Sequence, residues 1–381
     1  MPQTPANLRE YATLTVSGKK DKIVPQCHYN PTLSFPFAEV RMNARLFTVI
    51  AALAVIFPSS ASTQSAETYL NQGIMFAMRG DYGTAVEEFT SAIRLNPGMA
   101  GAYILRARAL FASVSVVTGV RENFSGIDYN SAAGRISTEQ VRVYDLVIED
   151  LTQAIRLDPN HAETYNNRGN AYMEKSDFDR AIADFTEAIR LNPNYALAYS
   201  GRGIAYRNKR DYDRAIADYT QAIRLSPNFA TAYYNRGFAY ESKSDYDLAI
   251  ADYIQAIRLN PNYALAYYGR GNMYLFKRDY SMAIADYTQT IRLDPNNIDA
   301  YLYRGFAYVN NGDTDNAIAD YSQVIKFAPN FIDTYLLRGV AYYLRGDIDR
   351  AITDWEAVLR LDPNNVSAIG NIEFARQQRG Y

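Results

Sequence analysis

Residues 196–229 read ALAYSGRGIAYRNKRDYDRAIADYTQAIRLSPNF, and residues 230–263 read ATAYYNRGFAYESKSDYDLAIADYIQAIRLNPNY. One pattern is written twice at a spacing of 34 residues. The prolines carry its phase outward. Of fourteen, six lie at or before Pro58; the others are Pro97, Pro159, Pro193, Pro227, Pro261, Pro295, Pro329 and Pro363. From Pro159 onward every gap is 34 residues. A fixed period of this length is an architecture in itself: units stack on their neighbours and no single central core forms.

Each block predicts two helices, A and B. Tyr199, Gly203 and Tyr206 fall at i, i+4 and i+7 and share a face of helix A. Asp211 stands where helix B begins and is placed to cap its free amides. Ala215, Tyr219 and Ala222 line one face of helix B. Pro227 stops that helix, and Asn228 is placed to start the next. Gly203 and Ala215 let the two backbones approach, while Tyr199 and Tyr219 fill the space beside them. Eight blocks begin at Ala66, Ala100, Ala162, Ala196, Ala230, Ala264, Ile298 and Ile332.

This pattern resembles the tetratricopeptide repeat (TPR), W-x2-L-G-x2-Y…A-x3-F…P. The first aromatic is always tyrosine: Tyr69, Tyr103, Tyr165, Tyr199, Tyr233, Tyr267, Tyr301 and Tyr335. The glycine is Gly73, Gly169, Gly203, Gly237, Gly271, Gly305 and Gly339, with Ala107 the exception. At the family's leucine this chain departs, carrying arginine in seven blocks. The resemblance covers residues 66–365. It implies an all-α, right-handed superhelical solenoid of eight helix-turn-helix units. Residues 366–381 read as a C-terminal capping helix, with Ile369 and Ile372 covering the last block.

The second block is interrupted. Pro97 and Pro159 are 62 residues apart, 28 more than the period. The extra residues fall near 113–140, between helices A and B, and Gly119, Gly126 and Gly134 argue for loop. Ser137-Thr-Glu-Gln140 reads as a capping box, so this helix B starts early, near 138. Phe124 and Tyr129 are candidate contacts of a partner arm, since long loops on rigid scaffolds often bind. An insertion without function is the other reading, because turns accept added residues at little cost.

Residues 1–41 are Pro-rich, irregular and unlike the rest. Met42-Asn-Ala-Arg45 then leads into the uncharged run Leu46 to Phe57 and the small residues Ser59-Ser60-Ala61. This is the three-part form of a secretory signal, with Met42 as the expected start, residues 1–41 a non-native extension, and cleavage near Ala61. Residues 62–381 then hold 33 Lys+Arg against 38 Asp+Glu and no cysteine, which suits an oxidising compartment. A secreted or periplasmic location is the expectation. An uncleaved 42–61 segment would instead make a membrane-tethered adaptor.

Composition bounds the chemistry. With 39 Lys+Arg against 41 Asp+Glu, nothing attracts a polyanion, and no nucleic-acid partner is expected. One cysteine, Cys27, and two histidines, His28 and His161, leave no metal site of the Cys/His kind. The acids recur in phase and form no unique pair. No catalytic residue, metal or cofactor is expected, and the chain reads as a non-enzyme. An enzyme-accessory role through the 113–140 insert is the remaining alternative.

Two sets of residues are candidates for interaction. Arg106, Arg168, Arg202, Arg236, Arg270, Arg304 and Arg338 recur on helix A, and Glu88, Asp150, Asp184, Asp218, Asp252, Asp286, Asp320 and Asp354 recur on helix B. Matching phase predicts partly buried ion pairs that set register, against the alternative of an anion-binding stripe. The TPR resemblance further implies a concave groove lined by helix A, where partner protein segments bind. Its candidate residues are Asn166, Asn170, Tyr234, Phe238, Tyr268, Asn272 and Phe306, with Met173, Ser200, Ile204, Arg207, Glu241, Leu275, Leu302 and Val309 on the same face. No lysine lies there, so the lysine-based carboxylate clamp of some relatives is not expected. The aromatics suit a peptide or helix, or they pad contacts between neighbouring blocks.

Overall fold

The computed structural model describes residues 64–118 and 137–378. Met42, the 42–61 segment with Ala61, and Phe124 and Tyr129 lie outside the described residues. The described residues fall into two compact units that divide between Lys243 and Ser244. All regular structure among them is helical.

The first unit contains α1 (Ala66–Met78), α2 (Tyr82–Leu95), α3 (Ala100–Thr118), α4 (Thr138–Leu157), α5 (Ala162–Glu174), α6 (Phe178–Leu191), α7 (Ala196–Asn208), α8 (Tyr212–Leu225) and α9 (Ala230–Ser242). Each A helix up to α7 packs along its own B helix, and each B helix packs on the A helix that follows. The second unit contains α10 (Tyr246–Leu259), α11 (Ala264–Phe276), α12 (Tyr280–Leu293), α13 (Ile298–Asn310), α14 (Thr314–Phe327), α15 (Ile332–Leu344), α16 (Ile348–Leu361) and α17 (Val366–Gln378). The same pairing runs through it, and α17 closes on α16. These are the helix pairs the 34-residue period demands.

Most B helices start at an aspartate. Asp81, Asp177, Asp211, Asp279, Asp313 and Asp347 each accept from the backbone N–H three residues on. Helix A starts differently from expectation. Asn228 does not cap α9; Phe229 holds that position and offers no side-chain acceptor. The asparagine must stand one residue later, as Asn297 and Asn365 do, accepting from Ala300 and Ala368 at 2.9 and 3.1 Å.

Packing follows the small-against-large pattern. Phe89, Phe185, Tyr219, Tyr287, Tyr321 and Trp355 occupy one helix-B position and are fully buried. Each removes an aromatic side chain from water, a gain of about 2–3 kcal/mol. Phe185 is wedged between two glycines: a Cβ on Gly169 would lie 2.9 Å from its ring, and one on Gly201, in the next block, 2.6 Å. One ring therefore locks its own block and binds the next. Tyr199, expected in the same space, is only half-buried and leaves the interior to Tyr219.

The interruption in the second block is partly helix. Residues 113–118 extend α3, and α4 begins at Thr138 under the full capping box of Ser137 and Gln140. The expected loop over 113–140 is corrected to that extent. The added turns bury Val114 and Val143, and Phe111 meets Tyr144 with ring centroids 5.5 Å apart. Apolar residues at helical spacing in these turns outweigh the loop signal of the glycines beyond them. At the other end, Ala368, Ile372 and Ala375 of α17 are buried against Trp355. Ile369 stands one residue off that stripe and is 38 % exposed, so it does not cover the last block as expected.

Candidate protein-binding face

The arginine ladder is structural. In the first unit Arg106, Arg168 and Arg202 grip Asp150, Asp184 and Asp218; in the second, Arg270, Arg304 and Arg338 grip Asp286, Asp320 and Asp354. Each pair is two-pronged, with Nε and Nη2 donating to the two carboxylate oxygens at 2.6–2.9 Å. The third arm, Nη1, reaches back to the preceding helix B. From Arg106, Arg168, Arg202, Arg236, Arg304 and Arg338 it donates to Thr90, Thr152, Thr186, Thr220, Thr288 and Ser322 in turn at 2.9–3.1 Å, and among the described residues Arg270, with Ile254 at that position, is the exception. Tyrosines three residues before and four after flank most of these guanidiniums, as Tyr165 and Tyr172 flank Arg168 at 5.8 and 6.0 Å. Arginine is required here because only its fork offers three directed donors with a stackable plane.

Electrostatics agrees. The bond to Asp184 holds Arg168 more firmly protonated, and the same bond acts on Arg202 from Asp218. Burial pushes the Asp184, Asp286 and Asp320 carboxyls up, and their arginines pull the other way. The first block breaks the ladder. Gln72 stands where the arginine belongs. Glu88 there has a buried Oε2 with no hydrogen-bond partner among the described residues, and burial, then Glu87, raises its pKa.

A second ladder escaped the sequence reading. Lys175, Lys209 and Lys277, at the ends of A helices, pair with Asp145, Asp179 and Asp247 on the preceding B helix. Lys243 meets Asp213 at 2.5 Å and Arg345 meets Asp315 at 2.8 Å. Every pair spans 30 residues, so the signal lay in the repeat phase, in two positions whose charges oppose in five successive or near-successive copies, Ser281 and Asn311 excepted. These exposed pairs each contribute at most about 1 kcal/mol.

The inner face of helix A is more closed than expected. Asn166, Asn170, Tyr234, Asn272 and Phe306 are all buried, whereas Phe238 and Tyr268 are half-buried. The burial has a cause in contact between successive A helices, as α5 with α7 and α13 with α15. Asn272 accepts from Tyr287 Oη at 2.8 Å inside its own block. Arg207 donates to Asn235 Oδ1 at 3.0 Å across to the next A helix and stacks over Phe238 at 5.2 Å. Much of this face therefore ties block to block, the alternative weighed for its aromatics.

This face differs from the structural positions in one respect. Arginine, aspartate, alanine, glycine and proline recur from block to block, while the inner positions do not. One runs Asn166, Ser200, Tyr234, Tyr268, Leu302; another Asn170, Ile204, Phe238, Asn272, Phe306; a third Met173, Arg207, Glu241, Leu275, Val309. Taken together, the three positions form a different combination in each of these five blocks.

Family models described as tetratricopeptide repeat match residues 148–196, 166–230, 230–263, 264–297, 286–319 and 332–365, and a TPR repeat model matches 307–346. Together they run unbroken from residue 148 to 365, more than half of the chain, and the matches to 230–263, 264–297 and 332–365 coincide with its blocks. The chain belongs to the tetratricopeptide repeat family. TPR proteins are protein–protein interaction scaffolds. Among solved structures, the C-terminal part of a TPR repeat-containing protein from Cytophaga hutchinsonii is similar at 24 % identity and a TM-score of 0.52, covering 60 % of this chain and 94 % of that one. YrrB, a TPR protein with an unusual peptide-binding site, is 24 % identical at a TM-score of 0.46, covering 49 % of this chain and 95 % of that one. MamA is 28 % identical at 0.43, covering 44 % of this chain and 92 % of that one. No curated protein matches the chain. Among the described residues no group of three or more His, Cys, Asp or Glu is placed to hold a metal, and no helix is long and apolar enough to cross a membrane.

Proposed function

We propose that this TPR chain is an exported, non-catalytic scaffold that binds segments of partner proteins on the inner faces of its A helices. The observation that carries the reading is the block-to-block variation of that face beside the recurrence of the structural positions in most blocks. A row of chemically distinct places, one per block, suits recognition of a segment by its own sequence. In the first unit the half-buried Phe238, stacked under Arg207, is the aromatic contact; in the second it is Tyr268, beside Tyr287 and Tyr303.

The test is retention of a partner from extracts of the source cell by immobilised residues 62–381. Phe238→Ser and Tyr268→Ser are compared with wild type after circular dichroism shows equal helicity. Loss of the partner in either variant supports the inner face. Full retention in both overturns it.

Export rests on the signal-like segment 42–61. Mass spectrometry of the native protein is expected to find an N-terminus near Ser62 and no peptide from residues 1–41. An intact 42–61 segment found with the membrane fraction would favour a tethered adaptor.

A further inference from the structure

Three blocks hold a cation on the outside of the molecule in one way. Arg180 lies over Tyr172 at 4.6 Å, Arg214 over Tyr206 at 4.4 Å, and Arg350 over Tyr342 at 5.8 Å. Each also pairs with the aspartate that caps its helix B: Asp177, Asp211 and Asp347. Tyrosine and aspartate together form a place for a guanidinium.

In the sixth block the place is kept and its occupant is gone. Tyr274 and Asp279 stand in position, but Met282 replaces the arginine and is 42 % exposed. Asp279 accepts from the Met282 backbone N–H at 3.2 Å, and among the described residues no Lys or Arg pairs with it. The preceding block puts Leu248 at the same position, 51 % exposed.

Other departures fall around the same surface. Ile254, 39 % exposed, stands where other blocks offer Thr or Ser to the ladder arginine, so among the described residues Arg270 bonds Asp286 without a hydroxyl partner on the preceding helix B. Ser281 and Asn311 stand where the outer ladder has its aspartate and its cation. The sixth block has thus given up one tie on each side. Met282 of this block and Ile254 of the preceding one are exposed instead, and Arg270 and Tyr274 lie 5.9 Å apart. The unit that bears them is acidic: residues 244–378 hold 12 Lys+Arg against 17 Asp+Glu.

We infer that this outer surface of α10 to α12 docks a basic amphipathic segment of a partner protein. A partner arginine or lysine takes the place between Tyr274 and Asp279 that the chain's own arginine fills elsewhere. Aliphatic side chains of the same segment cover Met282, Ile254 and Leu248, with methionine adapting to their shape. The Asp279 carboxylate, with which no Lys or Arg pairs among the described residues, supplies the complementary charge. This site is separate from the inner face and does not depend on it.

The test uses the full chain and a fluorescein-labelled fifteen-residue peptide with arginine at every fourth position and leucine between. Wild type is compared with Met282→Arg and with Leu248→Arg/Ile254→Thr/Met282→Arg. These changes restore residues the other blocks already carry, so folding is retained. Binding to wild type, with at least tenfold weaker binding to both variants and to a peptide with glutamate for arginine, is the expected result. Equal binding by wild type and variants, or no binding to wild type, overturns the inference. So does self-association of wild type that the triple variant abolishes, since a second copy would then own the surface.

Discussion

Arg202 and Asp218 meet at two points, each 2.8 Å long, while the same guanidinium donates to Thr186 on the preceding B helix at 3.1 Å. The pair is a joint between three helices. Removing one partner strands the other's charge in a largely buried place. Asp218→Ala is expected to cost about 3 kcal/mol, and Arg202→Met/Asp218→Leu much less, because the double change strands nothing. Urea unfolding followed by circular dichroism checks this; equal losses in single and double variants would contradict it.

The missing joint in the first block can be restored. Gln72→Arg places a guanidinium beside the unpaired Glu88 Oε2. Melting is expected to rise by a few degrees, consistent with about 1–2 kcal/mol for a hydrogen bond to a charged group. An unchanged or lowered melting temperature would show that Glu88 has no room for it.

The glycine in helix A is a packing requirement. A Cβ on Gly203 would lie 2.7 Å from Tyr219 Cε1. Gly203→Ala is expected to lose about 1–3 kcal/mol, and Gly203→Ala/Tyr219→Leu to recover part of it. Without recovery, the ring is not the obstacle.

Between helices A and B the chain needs a left-handed residue. Arg210 has φ 61° where Gly312 and Gly346 have 86° and 87°. Arg210→Gly relieves that conformation, and a gain of about 0.5–1 kcal/mol is expected. The reverse change, Gly346→Arg, is expected to lower the melting temperature.

Asp299, in the first turn of α13, has its pKa pushed up to about 6 by burial. A raised carboxyl binds its proton more tightly folded than unfolded. Its contribution to stability is therefore complete below the unfolded pKa of about 4 and is lost as pH rises through about 6. Asp299→Asn removes this dependence. The stability difference between variant and wild type is expected to grow in the variant's favour from pH 4 to pH 7. A flat difference across that window would contradict the burial of the charge.

The sequence alone was enough for the fold because the structural positions repeat. Pro227, Gly203, Asp211 and Tyr219 have counterparts that do the same physical work in most blocks, so the copies reinforce one reading. The ladder pairs Arg168–Asp184 and Arg304–Asp320 were legible for the same reason. What failed were places where one copy departs from the rest or where depth decides. Asn228 is one residue too early to cap, and Ile369 one residue off the buried stripe. Asn166 and Tyr234 share a face with Phe238 and Tyr268, yet contact between successive A helices buries them. That contact belongs to three-dimensional stacking, which a single block's pattern does not contain. The outer ladder, Lys209 to Asp179, was present in the phase and went unread because its members are 30 residues apart.

The central claim is that partner segments lie on the inner faces of the A helices. A photo-crosslinking phenylalanine placed at Phe238 or Tyr268 tests it directly, with Arg190 and Arg292, exposed near the ends of B helices, as controls. The account predicts protein adducts on irradiation in source-cell extract from positions 238 or 268 and none from 190 and 292. Adducts from the controls alone would contradict it.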